Sequence, residues 1–303
     1  MDLNKYILLS NLKDGTTSWS NQDSAILEFL KYPLLDGADS VAWRSFLASV
    51  KPMKAHKNAK MGSGNFPMAI LIHGNAAEYS LMAEYLATHG FISVNLPTTG
   101  YLKHSLDVNS IGLETQTRDH EFAIDFVKRK FDILPEKIAA IGMSFGGQSA
   151  LGLAIRNPLV KAVVSLDGGI GSEFGGQLLA ASPFYKPGLI STPILHLYNP
   201  SDPSGSLRWF DEYKHADRLL VAYKKMIHPY FLIYGHLSNS VNYSWGKTSP
   251  TAGDNYESVL LYTHKFINES FSSLPQITSI QLEKKEQWIA TGLDSVVFKR
   301  GFQ

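Results

Sequence analysis

The chain of 303 residues contains no cysteine, so disulfides, thiolate metal sites and a cysteine nucleophile are all excluded. No apolar run approaches the roughly 18 residues that a membrane-spanning helix needs. Charge of one sign is not in excess either: 28 Lys and Arg face 27 Asp and Glu, for a formal net charge of +1. The basic residues are scattered, so no overall field points to nucleic acid as a partner. The one local cluster, Lys51, Lys54, Lys57 and Lys60, reads as a solvated connection. The first six residues, Met1 to Tyr6, lack the apolar core of a secretory signal. The expectation is a soluble protein without a membrane span, cytoplasmic or extracytoplasmic after removal of a leader. Oligomeric state leaves no signal.

What is present is enough apolar material for a sizeable core, at 44% hydrophobic residues and 18% charged. From residue 67 onward, short strand-like runs alternate with amphipathic segments. Strands are expected at 67–72, 91–96, 138–141, 162–166, 194–198 and 219–223, and helices near 81–90, 114–130, 146–156 and 258–271. That alternation implies an α/β architecture, with a mostly parallel sheet covered by helices on both faces. No linker or repeat interrupts residues 67–271, which read as a single core. Residues 1–66 read as an extension with a helix around Ala42 to Val50 and added edge strands. Residues 272–303 read as an appended segment, strand or helix.

The strongest local signal is Gly142-Met143-Ser144-Phe145-Gly146, set between the run Ile138 to Ile141 and a helix of small residues. Gly-x-Ser-x-Gly suits a nucleophile pushed out at a sharp strand-to-helix turn, where a strained backbone leaves no room for bulk two positions away. The helix beginning after Ser144 aims free N–H groups and its positive dipole end at developing negative charge. The plainer reading is a tight turn whose serine caps the helix. The context of strand before and helix after favours Ser144 as nucleophile. An oxyanion needs two donors; the N–H of Phe145 is one. The other is expected from the loop His73-Gly74-Asn75-Ala76, with Asn75 N–H as the choice and the His73 side chain as a brace.

A base is expected after Ser144 in chain order. His196 falls in a strand, His215 is expected in a helix, and His264 falls in the closing helix. His228 and His236 remain, both expected in the loop after the strand near 219–225. The acid is either Asp167, at the end of the strand 162–166, or Asp202, after the strand 194–198. Both positions are strand C-termini, where catalytic groups collect in open α/β sheets.

The segments His73-Gly74-Asn75, Gly142-Met143-Ser144-Phe145-Gly146-Gly147, Leu166-Asp167-Gly168 and His228-Pro229-Tyr230-Phe231 resemble the platelet-activating-factor acetylhydrolase and dienelactone hydrolase-like branch of the α/β hydrolases. The resemblance implies the α/β-hydrolase fold and cofactor-free cleavage of carboxylic esters. It also implies Asp167 as acid and His228 as base, the latter opening a His-x-x-Phe motif. The substrate would be a small-molecule or polymeric ester. An acyltransferase on the same three residues, and a binding protein that keeps the fold without the chemistry, are the alternatives.

Other signals carry less. Gly168 to Gly176 is glycine-rich but has neither dinucleotide nor P-loop spacing, and is expected to form a mobile rim. His120-Glu121 begins like a zinc-protease motif, but position 124 is Ile, and no metal is expected. Tyr79, Tyr101, Phe174, Phe184, Tyr185, Trp209 and Tyr230 are expected in loops beside the site, where they could line an acyl pocket.

Overall fold

The computed structural model describes residues 59–60, 62–73, 78–96, 106–133, 135–201, 206–237, 251–272 and 293–302. The expected helix at Ala42 to Val50 and the N-terminal edge strands lie outside these residues, as do Asn75, Tyr101 and Asp202. Strands β1 (Met68–Ile72), β2 (Ile92–Asn95), β3 (Ile138–Met143), β4 (Val160–Leu166), β5 (Ile194–Tyr198) and β6 (Arg218–Ala222) are all parallel. A seventh, β7 (Ser295–Lys299), pairs antiparallel with β6 and completes the order β2-β1-β3-β4-β5-β6-β7. The appended segment therefore supplies an edge strand.

The central strands are continuous apolar runs because both of their faces are covered. In β1 the alternation is visible: Ala69 and Leu71 join one buried cluster, and Met68, Ile70 and Ile72 join the other. Helices α1 (Ser80–Thr88) and α6 (Ala252–Phe271) cover the first face, through Met82, Leu86, Val259, Tyr262 and Phe266. Helices α2 (Ser110–Phe131) and α3 (Phe145–Arg156) cover the second, through Leu113, Ile124, Leu151 and Leu153. Two shorter helices, α4 (Glu173–Ala180) and α5 (Ile233–Leu237), lie in the connections.

Two helices begin earlier than the apolar pattern suggests. Helix α2 starts at Ser110 because Asn109 caps it, accepting a hydrogen bond from Gly112 N–H at 2.9 Å. Helix α6 starts at Ala252, adding the buried Tyr256 to its apolar face. Arg156, at the end of α3, pairs with Glu114 and Glu121 of α2 and lies over the Phe184 ring. Among the described residues no helix is long and apolar enough to cross a membrane.

The strand order places a topological switch between β1 and β3. From β1 the chain winds first to β2 on one side, then crosses to β3 and onward on the other. The crevice at the C-terminal ends of two such strands is where ligands gather in open α/β sheets.

Candidate active site

Four described residues other than glycine have positive φ, and three of them end adjacent strands: His73 after β1 (63°), Ser144 after β3 (54°) and Asp167 after β4 (44°). The fourth, Asp132, is the left-handed cap of α2. Such conformations cost on the order of 1–3 kcal/mol each and cluster at functional sites. Here they fall together at the switch-point edge of the sheet.

The elbow is built from close approaches. A Cβ on Gly142 would stand 1.9 Å from the Gly146 carbonyl oxygen, and one on Gly146 would stand 2.3 Å from that of Ile72. Any side chain at either position collides with backbone, which is why both positions around Ser144 are glycine. Ser144 itself is half-buried and precedes α3, yet its side chain makes no capping hydrogen bond. The hydroxyl is therefore not consumed as a helix cap. Phe145 is the first residue of α3, where a backbone N–H has no acceptor within the helix. Behind the turn, the Gln148 amide is oriented so that its nitrogen donates to the carbonyls of Ser144 (2.9 Å) and Phe145 (3.2 Å).

The next strand tip carries a carboxylate. Asp167 Oδ1 accepts from the Asn199 backbone N–H at 2.8 Å, and Oδ2 lies 2.7 Å from His228 Nδ1. The Asp167 side chain is 1% exposed and that of His228 is 40% exposed. A buried acid thus orients an accessible imidazole. His228 opens a 3₁₀ turn, His228–Phe231, six residues after the end of β6. Of the two carboxylates weighed from the sequence, the structure brings Asp167 to His228; Asp202 lies outside the described residues.

A model of the alpha/beta hydrolase family matches residues 69–265. The chain belongs to the alpha/beta hydrolase family. A comparison with curated proteins finds no match. Among solved structures, a ferulic acid esterase from Streptomyces cinnamoneus is similar, with a TM-score of 0.59 over 88% of this chain and 85% of that one, at 16% identity. At that identity the likeness is one of fold, and it agrees with the α/β-hydrolase fold of this sheet.

Within this α/β hydrolase several expectations need correction. His236 is not in a loop but on α5, exposed, lining a groove with Tyr85, Asp254 and Glu257. His215 is not helical; it lies in an exposed turn, where Nδ1 meets the Phe302 carbonyl at 2.9 Å. The glycine-rich rim is a 3₁₀ turn, Gly169–Gly171, followed by α4. Its glycines serve close packing rather than mobility: a Cβ on Gly176 would stand 2.0 Å from the Trp209 ring. The Trp209 indole N–H donates to Glu173 at 3.1 Å and holds that face. Phe184 lines a cavity of about 670 Å³ with Val160 and Pro193, at the N-terminal ends of β4 and β5, whereas Ser144 follows the C-terminal end of β3. Tyr79 and Tyr230 are buried rather than pocket-lining.

The His73 ring packs edge-on to Phe145, with centroids 6.0 Å apart. Burial, and secondarily the positive charge His228 can carry, hold its pKa down to about 4. The His73 ring is therefore neutral near neutral pH. Among the described residues no three His, Asp or Glu side chains converge as a metal would require.

Proposed function

We propose that this protein is a serine ester hydrolase working through an acyl-enzyme on Ser144, with His228 as general base and Asp167 as its orienting acid. The observation that carries this reading is the Asp167–His228 hydrogen bond at the strand tip adjacent to an uncapped, strained Ser144. Asp167 takes Nδ1, which leaves Nε2 to exchange the proton. Ser144 Oγ attacks the ester carbonyl while its proton passes to His228 Nε2, and the carboxylate stabilises the imidazolium formed. The tetrahedral oxyanion is held by the N–H of Phe145 and, on the sequence assignment, that of Asn75. Each such donor is worth about 3 kcal/mol. Collapse expels the alcohol with the His228 proton. Water, deprotonated by the same histidine, then hydrolyses the acyl-enzyme and restores Ser144.

The motifs resemble those of the acetylhydrolase and dienelactone hydrolase-like members, and that resemblance supports an ester substrate. Short-chain carboxylic esters, acylated sugars and ester-linked polymers are the substrate classes. The esterase of similar fold, named for ferulic acid, adds aromatic acyl esters to the panel. A fluorophosphonate probe tests the reading: labelling is expected on Ser144 and lost in Ser144→Ala. Folded wild-type protein that takes no label would refute the enzyme and favour a binding protein on this fold. Product analysis with added alcohols separates hydrolysis from acyl transfer.

A further inference from the structure

Pairing between β1 and β3 ends at Ile72 and Gly142. Immediately beyond that last pair, the hydroxyl of Tyr79 stands between the two strands. It donates to the Ile72 carbonyl at 2.9 Å and accepts from the Met143 N–H at 2.9 Å. One residue further along each strand lie His73 and Ser144. The phenol is 0% exposed, and burial raises its pKa well above the ordinary tyrosine range, so it remains a donor. A phenylalanine would fill the same apolar site; the hydroxyl is what the strand tips require.

The residue before it makes a second tie. The Glu78 carbonyl accepts from Ile233 N–H at 3.2 Å, and its carboxylate accepts from the Tyr234 hydroxyl at 2.8 Å. Ile233 and Tyr234 open α5, directly after the turn that carries His228. One dipeptide therefore touches the β1 tip, the nucleophile strand and the segment bearing the base.

We propose that Glu78 and Tyr79 form a positioning node that sets the spacing between His73, Ser144 and the His228 segment; this rests on the reading of Ser144 as nucleophile. The spacing is tight, since a Cβ on Gly146 would lie 2.6 Å from His73 Cβ. Without the hydroxyl, two buried backbone groups lose their partner and the strand tips must close together or admit water. Either change alters where an oxyanion would sit against Phe145 N–H, and a misplacement of about 1 Å costs about 100-fold in rate.

The test begins with wild-type protein, the fluorophosphonate probe and an activated aryl ester. If wild type neither labels nor turns over, the nucleophile reading fails and this inference falls with it, before any tyrosine is changed. With active wild type, Tyr79→Phe is expected to stay folded and to lose about 10- to 100-fold in kcat, the scale of such misplacement, with KM moving less than about 3-fold. The control is Tyr223→Phe, which deletes a buried hydroxyl 2.7 Å from Ser258 Oγ. It should lose comparable thermal stability and keep its kcat. Tyr234→Phe, which breaks the tie to Glu78, should show a smaller kcat loss at unchanged KM. The proposal is overturned if Tyr79→Phe keeps wild-type kcat, if Tyr223→Phe loses as much, or if the loss lies in KM. Should Tyr79→Phe not fold, Tyr234→Phe decides: a kcat loss at constant KM supports the node, and wild-type kcat overturns it.

Discussion

His228 and His196 meet the strands around the elbow in opposite ways, although each is hydrogen-bonded through Nδ1. His228 faces a carboxylate, Asp167, and is 40% exposed on its side chain. His196, inside β5, faces a hydroxyl, that of Ser165 on β4, at 3.1 Å. Both members of that second pair are fully buried. The His196 ring is stacked against Tyr198 and Phe210, with centroids 4.9 and 5.6 Å away, and its Nε2 has no hydrogen-bond partner among the described residues. Burial holds its pKa down to about 3, and among the described residues no carboxylate compensates a charge there. A serine beside a histidine is thus not a proton-transfer device by itself. The device needs access for a ligand and a counter-charge for the imidazolium, and His228 has both.

The largest effect that separates the two pairs is expected at the acid. Asp167→Asn should reduce turnover of an activated aryl ester about 10⁴-fold with the fold intact, because the amide selects the wrong imidazole tautomer. His196→Phe should leave turnover within about 10-fold, since it removes a packed ring outside the reaction. Steady-state rates, with thermal unfolding checked first, decide the matter. Asp167→Asn retaining more than a tenth of wild-type turnover would remove the acid from the mechanism.

Much of this arrangement is legible in the chain. Strands β1 and β3 to β6 announce themselves because buried parallel strands need largely apolar runs, whereas the half-buried β2 at the end of the sheet alternates Ile92 and Val94 with Ser93 and Asn95. The elbow is legible because only glycine survives the contacts made by Gly142 and Gly146. Sequence spacing does not choose between Asp167 and Asp202, since both follow a strand end; the pairing with His228 spans 61 positions and is a tertiary fact. Tyr79 shows the same limit more sharply. A tyrosine in a loop reads as a pocket aromatic, and nothing local reveals that its hydroxyl bridges Ile72 and Met143, the latter 64 positions away. The rim reads as mobile from its composition because glycine serves both mobility and close packing, and only the Trp209 ring against Gly176 tells which.

An intermediate effect concerns stability against pH. The unfolded chain protonates His196 near 6.5, whereas the folded protein does so only near 3. As pH falls below 6.5 the unfolded state binds the proton first. Stability present above 6.5 is therefore lost progressively down towards 3, at up to about 1.4 kcal/mol per pH unit for one such histidine. His73, held down to about 4, adds to the loss between 6.5 and 4. His196→Phe should be less stable at pH 7.5, where Ser165 loses its partner at a cost of about 1–3 kcal/mol. It should also show a shallower decline between pH 6 and 4. Urea unfolding at several pH values measures both. Parallel curves for wild type and variant would mean that His196 is not held neutral.

The smallest effect is expected at a third histidine, and it tests how far the contrast extends. His236 follows His228 by eight positions, so sequence alone leaves either as the base. In the structure both Asp167 oxygens are engaged, one by Asn199 N–H and the other by His228. His236 instead lies exposed on α5, lining the groove of Tyr85, Asp254 and Glu257 between α1 and α6. It has access without the buried acid, the reverse of the deficiency that silences His196, where a ring is well held but sealed and uncompensated. If both conditions are needed, His236→Ala should keep turnover within about 2-fold and shift stability by no more than about 0.5 kcal/mol, as exposed substitutions do. His228→Ala, made alongside, should lose most of the activity and the fluorophosphonate labelling. The opposite pattern, with His236→Ala inactive and His228→Ala near normal, would transfer the base to α5 and leave the Asp167–His228 bond as a structural clasp.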